Sequence, residues 1–150
     1  MLVYKTGDIL KATENIICHQ VNVQGVMGGG LAKQIASSYP NVEKEYKKLC
    51  RAYDYDYIKL QGKAQKVKIN DNQYIANCFT QFPNFDTDYK AIRSAIRELI
   101  GNCKTLNQTI AVPYKYGCGI ANGEWEKVEI ILRYLSVKYG KDIVIYKLED

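Results

Sequence analysis

The sequence predicts an α/β sandwich around a central mixed sheet, and three observations carry that prediction. Short apolar, β-rich runs alternate along the chain with segments of helical apolar spacing. Two of those runs, NIICHQV and TIAVP, lead into glycine-rich loops that are followed by helices. Between them, KAQKVKIN and QYIANCF read as an antiparallel hairpin, which a purely parallel sheet would lack. At 150 residues, 47% hydrophobic and 25% charged, the chain has the proportions of one compact domain, expected over 1–150. Folding at that length buries roughly 68–70% of the unfolded surface, so neither disulfides nor metals are needed for stability.

Residues 2–5 form a first short strand, and 15–21 (NIICHQV) a strand covered on both faces. GVMGGG at 25–30 is a turn. LAKQIASSY then places apolar residues at 31, 32, 35, 36 and 39, the stripe of a helix. Pro40 and Asn41 interrupt it, and VEKEYKKLCRAY is a second helix whose interleaved Glu and Lys suit a solvated face. The turn at Asn70–Asp71–Asn72 joins the hairpin strands. TDYKAIRSAIRELIGNC is a helix with Ala91, Ile92, Ala95, Ile96, Leu99 and Ile100 on one stripe. TIAVP is a short buried strand that Pro113 ends. After the loop YKYGCGIANG, WEKVEIILRYLSVKY is a helix with Trp125, Val128, Ile131, Leu132 and Leu135 facing the core, and DIVIYKL is the last strand.

Composition narrows the function classes. The N-terminus has no basic, apolar and cleavage-site sequence of a signal peptide, and no apolar run approaches the ~20 residues of a spanning helix, so a cytoplasmic protein with no membrane partner is expected. Cys18, Cys50, Cys78, Cys103 and Cys118 are odd in number, scattered and without a C-x-x-C pair, which predicts thiols rather than a disulfide framework. With His19 as the one histidine, no metal site and no cofactor are expected. The net charge of +5 suits an anionic ligand. It also motivates a nucleic-acid-binding reading, which no arginine-rich run or RNP motif specifies.

The first loop runs Asn22-Val23-Gln24-Gly25-Val26-Met27-Gly28-Gly29-Gly30. Three glycines ahead of a helix let backbone N–H groups approach an anion without a Cβ in the way, and the helix N-terminus adds partial positive charge. A phosphate fits this place better than a neutral group. Neither G-x-x-x-x-G-K-[ST] nor G-x-G-x-x-G is present, so this is a phosphate loop of another kind. Gly117-Cys118-Gly119-Ile120-Ala121-Asn122-Gly123 repeats the logic after a later strand, and two such loops can clamp a diphosphate. Asn122 or Gly123 is expected to start the following helix.

Gly7-Asp8-Ile9, CHQVNVQGVMGGGLAKQIASSYP and VPYKYGCGIANGEWEKV, in that order, resemble the macro domain family over essentially the whole chain. The resemblance is nearest to the branch of ADP-ribose-1″-phosphate phosphatases and terminal or DNA ADP-ribose hydrolases, which share the His–x–x–Asn spacing of His19 and Asn22. It implies a three-layer α/β/α sandwich that binds ADP-ribose or a derivative and hydrolyses a 1″-linked group, with a non-catalytic reader or scavenger of such metabolites as the alternative. It implies a monomer, and ADP-ribosylated protein or nucleic acid among its partners. Asp8 would accept from the adenine amine, with Ile9 beside the ring and the strand near Tyr146 flanking it. Gly28, Gly29 and Gly30 would approach the diphosphate from one side, and Gly117, Cys118, Gly119 and Ile120 from the other. Asn22 would contact the distal ribose. In the hydrolases of this branch a lysine follows the central strand and an aspartate sits in the second loop. Here those places read Thr80-Gln81-Phe82-Pro83 and Ala121, which implies water as the attacking group. Candidates for activating it are His19, which is otherwise a hydrogen-bonded core residue, and Asp86 and Asp88, which otherwise cap the following helix, a role that Thr87 or Asp86 fits.

Overall fold

The computed structural model describes residues 1–84, 86–102, 108–116 and 122–148. Among these, six strands form one mixed sheet: β1 (Leu2–Thr6), β2 (Ile16–Val21), β3 (Ala64–Asn70), β4 (Gln73–Phe79), β5 (Ile110–Pro113) and β6 (Ile143–Lys147). Their order across the sheet is β1-β6-β5-β2-β4-β3. All neighbours are parallel except the β3–β4 hairpin.

Helices cover both faces. α1 (Gly30–Ser38), α2 (Pro40–Ala52) and the short α3 (Tyr57–Leu60) lie on one. α4 (Tyr89–Asn102) and α5 (Trp125–Tyr139) lie on the other. Strand alternation divides the core accordingly. Ile17, Val21, Ile75 and Phe79 pack with Ile35, Val42, Tyr46 and Leu60, whereas Ile16, Cys18, Ala76 and Cys78 pack with Ile92, Ile96, Leu99 and Leu132. This is the three-layer α/β/α sandwich the sequence predicts. Cys18, Cys50 and Cys78 are buried thiols within these cores. No helix among the described residues is long and apolar enough to cross a membrane.

Several boundaries differ from the sequence reading, each for a local reason. α1 starts at Gly30, with Gly29 at its N-cap, so the last glycine belongs to the helix. Pro40 opens α2 at its first position, where the missing N–H costs nothing, rather than lying between helices. α3 and a 3₁₀ turn at Ile9–Lys11 have no apolar period to betray them. Asp56 and Asp8 cap them by accepting from the N–H groups of Ile58 and Leu10, both at 2.9 Å. Of the three cap candidates for α4, Asp88 takes the role rather than Thr87 or Asp86: its Oδ1 accepts from Ala91 N–H at 3.1 Å. Glu124, not Asn122 or Gly123, stands at the N-cap position of α5, while Asn122 takes a left-handed turn conformation at φ 57°.

Candidate functional site

β2 and β5 are neighbours in the sheet, but the chain leaves them toward opposite faces, β2 into α1 and β5 toward α5. Where two such exits diverge, a crevice opens at the carboxyl ends of the strands. A cavity of about 620 Å³ lies there, within the range of small-ligand pockets. Its wall is built from His19–Val21 of β2 with the adjoining Asn22, from Gly28–Ala32 at the start of α1, from Gln81 beyond β4, and from Pro113–Tyr116 at the exit of β5.

The first loop is held from beneath. Tyr46, fully buried on α2, donates through its hydroxyl to the Asn22 carbonyl at 2.5 Å and accepts from Gly25 N–H at 3.1 Å. Burial pushes the Tyr46 phenol above its ordinary value, so it keeps that proton. Gly25 turns at φ 79°, and a Cβ there would stand 3.1 Å from the Tyr55 ring, so glycine is required twice over. Asn22, 7% exposed, accepts from Gln24 N–H at 2.9 Å and donates to Gln81 Oε1 at 3.0 Å. Gln24 in turn donates to the Pro83 carbonyl at 3.0 Å. These bonds tie the glycine loop to the loop after β4.

The loop delivers Gly28, Gly29 and Gly30 to the cavity wall. α1 begins there with no acidic residue in its first turn and no side-chain cap. Its leading N–H groups therefore face the crevice with no side-chain cap of their own, which suits an anion.

His19 lies in the same wall and is 1% exposed. Its Nε2 is 2.5 Å from Asn77 Oδ1 on β4, while its Nδ1 has no partner among the described residues. Burial lowers its pKa to about 4, with the Asn77 contact opposing that effect, so the ring is neutral at pH 7. The neutral ring has one nitrogen free to accept a hydrogen bond, but a ring this hard to protonate holds an abstracted proton poorly.

On the far side of the crevice, Tyr116 N–H donates to the Pro113 carbonyl at 3.0 Å, and Lys115 takes a left-handed φ of 58°. The buried Tyr116 hydroxyl pairs with Thr80 Oγ1 at 3.0 Å, joining the exits of β5 and β4. The second-loop residues Gly117, Cys118, Gly119, Ile120 and Ala121 lie outside the described residues.

The remaining sequence candidates stand elsewhere. Asp8 and Ile9 do not line this cavity. Asp8 caps the 3₁₀ turn and Ile9 is buried in the α1–α2 side of the core. They sit beside the last strand, where Gly7 N–H donates to the Lys147 carbonyl at 2.8 Å and a Gly7 Cβ would meet Tyr146 at 4.0 Å. Asp88 caps α4 and accepts from Gln61 Nε2 at 3.0 Å. Asp86 accepts from Asn84 Nδ2 at 3.0 Å in an exposed turn. Neither aspartate lines the cavity. Gln81, Tyr114, Lys115 and Tyr116 do; none stands out as a site residue in the sequence, although Gln81 lies in the loop after β4 and the other three open the second loop. Asn77 carried a signal of its own, a polar residue between Ile75 and Phe79 at core-facing positions of a strand.

Fold and cleft together define an α/β/α domain with an anion-accepting crevice at the switch point of its sheet. A sequence model of the Macro domain matches residues 18–132, and the chain belongs to the macro domain family. It is 27% identical to an ADP-ribose 1″-phosphate phosphatase of Scheffersomyces stipitis, over 96% of this chain and 100% of that protein. It is 30% identical to a DNA ADP-ribosyl glycohydrolase of Mycobacterium tuberculosis, over 86% of this chain but 37% of that longer protein. Among solved structures, the macrodomain of Mycobacterium tuberculosis DarG matches with a TM-score of 0.81 at 30% identity, covering 97% of each chain.

Proposed function

We propose that the crevice binds ADP-ribose or a derivative and that the protein hydrolyses a group linked at the 1″ position. The observation that carries the binding half is the uncapped start of α1, presenting Gly28–Gly30 to a cavity of about 620 Å³ at the switch point. The diphosphate lies against that helix start, the distal ribose reaches toward Asn22 and His19, and adenine lies toward Asp8, Ile9 and Tyr146. The names of the phosphatase and glycohydrolase relatives support the reaction class. Water is consumed, and the 1″ group departs as phosphate or as the free acceptor. Gln81 rather than a lysine follows the central strand and is bonded to Asn22, so positioning of ribose and water is the protein's contribution. The same Gln81 favours a second reading, a reader or scavenger that binds without turnover.

Calorimetric titration with ADP-ribose, followed by product analysis with ADP-ribose-1″-phosphate and an ADP-ribosylated acceptor, tests both halves. Binding with product release is the expected result, and binding without product selects the second reading. Gly29 has φ −149°, which valine also adopts, so Gly29→Val keeps the backbone while placing two methyl groups at the helix start. That variant is expected to lose ADP-ribose binding with its circular dichroism unchanged. Wild-type affinity in it would remove the phosphate-loop assignment.

A further inference from the structure

β2, β4 and β3 carry one cross-strand row of buried or half-buried polar side chains. His19 is the register partner of Asn77, and Asn77 is the register partner of Gln65. All three point to the face covered by α1 and α2, among Ile17, Val21, Ile75, Phe79 and Val67. Such a row is costly in an apolar layer unless every member is satisfied, and its bonds can be followed from one end.

The anchor is the Glu45 carbonyl of α2, which only accepts. The group facing it at 3.0 Å is therefore the Gln65 amide nitrogen, which leaves Gln65 Oε1 toward Asn77. Gln65 Oε1 accepts from Asn77 Nδ2 at 3.1 Å, which leaves Asn77 Oδ1 toward His19. Asn77 Oδ1 accepts at 2.5 Å, so the neutral ring carries its proton on Nε2. Nδ1 is then a bare lone pair. Nε2 is turned toward β4, a strand that gives no residue to the cavity wall, whereas the ring itself is part of that wall. Among the described residues, the one buried ring nitrogen without a partner thus belongs to a side chain lining the crevice.

We infer that Gln65 and Asn77 are positioning residues that lock His19 as its Nε2–H tautomer, so that Nδ1 accepts a hydrogen bond from a hydroxyl of the ligand. The inference rests on the proposed ADP-ribose site for the identity of that ligand, where the hydroxyl is one of the distal ribose. A phosphate P–OH has the same chemistry, and the test separates the two sources. Because Nδ1 carries no proton, it favours a hydroxyl and disfavours an ionised phosphate oxygen at that spot. The amide row thereby sorts what enters the inner end of the crevice, while α1 receives the diphosphate.

His19 is the one histidine of the chain, so ring-¹⁵N labelling gives one imidazole to observe. In the ligand-free protein at pH 7, long-range ¹H–¹⁵N correlation is expected to show a protonated Nε2 and a bare Nδ1. Asn77→Leu is expected to give a mixture of tautomers, because no side chain at position 77 then accepts from Nε2. A wild-type ring protonated at Nδ1 would overturn the relay. ADP-ribose is expected to shift the Nδ1 resonance, and ADP, which lacks the distal ribose, to bind without doing so. A shift with ADP or inorganic phosphate alone would assign the contact to phosphate and overturn the ribose assignment. ADP-ribose binding with Nδ1 unmoved would overturn the ligand contact while leaving the ADP-ribose site standing. No calorimetric binding would instead overturn the proposed function and with it the ligand contact, the ligand-free spectra still deciding the relay. Asn77→Leu is also expected to weaken ADP-ribose roughly threefold to tenfold, with ADP affinity unchanged. Equal weakening of both would indicate a purely structural role.

Discussion

A single hydroxyl sets the shape of the first loop. Tyr46 reaches from α2 to bond both the Asn22 carbonyl and Gly25 N–H, and no solvent competes for it there. Removing it takes the partner from the buried Asn22 carbonyl and the half-buried Gly25 N–H, which costs about 1–3 kcal/mol. Tyr46→Phe is therefore expected to lower stability by that amount in urea denaturation and also to weaken ADP-ribose binding, because the glycines hang from the same turn. Loss of stability with unchanged affinity would show that the loop keeps its shape without the bond. At the same scale, Asn22→Ala is expected to lower turnover far more than His19→Gln, since Asn22 holds the loop, Gln81 and the ribose side of the crevice together. The reverse order, measured as kcat on ADP-ribose-1″-phosphate, would make His19 the reacting base.

Among the elements, the starts of α1 and α4 are arranged oppositely. α1 opens without a side-chain cap, and α4 opens with one, Asp88. A helix start left uncapped forgoes about 1 kcal/mol of stability, which a bound anion can supply instead. Asp88→Ala is expected to cost about 1 kcal/mol in thermal or chemical unfolding and to leave ADP-ribose binding and turnover as they are. A large loss of turnover at retained stability would return Asp88 to the catalytic candidates. Glycines at 28–30 announce α1's start by excluding every side chain, while aspartates at 86 and 88 are equally good caps on paper. Which of them begins the helix depends on where β4 releases the chain, and Asp88 N–H bonding to the Thr80 carbonyl at 2.9 Å places it.

For the whole molecule, burying the row under α1 and α2 makes stability depend on pH. His19 has a folded pKa of about 4 against the ordinary 6.5, so between those values the unfolded chain binds the extra proton. The stabilisation is full above pH 6.5, falls as pH drops toward 4, and levels off below. Its total is on the order of 3 kcal/mol. Glu14 adds a carboxylate contribution of the same sign. Burial works against its charge, but the Tyr146 hydroxyl and the Lys5 ammonium hold its pKa below the ordinary 4.5. That share is therefore lost only as pH falls through the carboxylate range. Unfolding free energies measured from pH 7 to 4 are expected to decline in wild type and to flatten in His19→Asn. An equal slope in both proteins would place the pH dependence elsewhere.

The alternation of β-rich and helically spaced segments determined the layers, because each period can bury its apolar side in only one kind of element. The glycines at 28–30 and the spacing of His19 and Asn22 marked the crevice for the same local reason: these residues limit the backbone and offer polar atoms wherever the fold puts them. Strand order was a different matter. Nothing local states that β5 lies beside β2, yet that adjacency, with exits to opposite faces, creates the cavity. Tertiary structure alone likewise brought together Tyr46 with Asn22, 24 positions apart, and His19 with Asn77, 58 apart. Hydrogen bonds across such distances depend on sheet register and helix placement, which arise from packing the whole core and are encoded in no single segment.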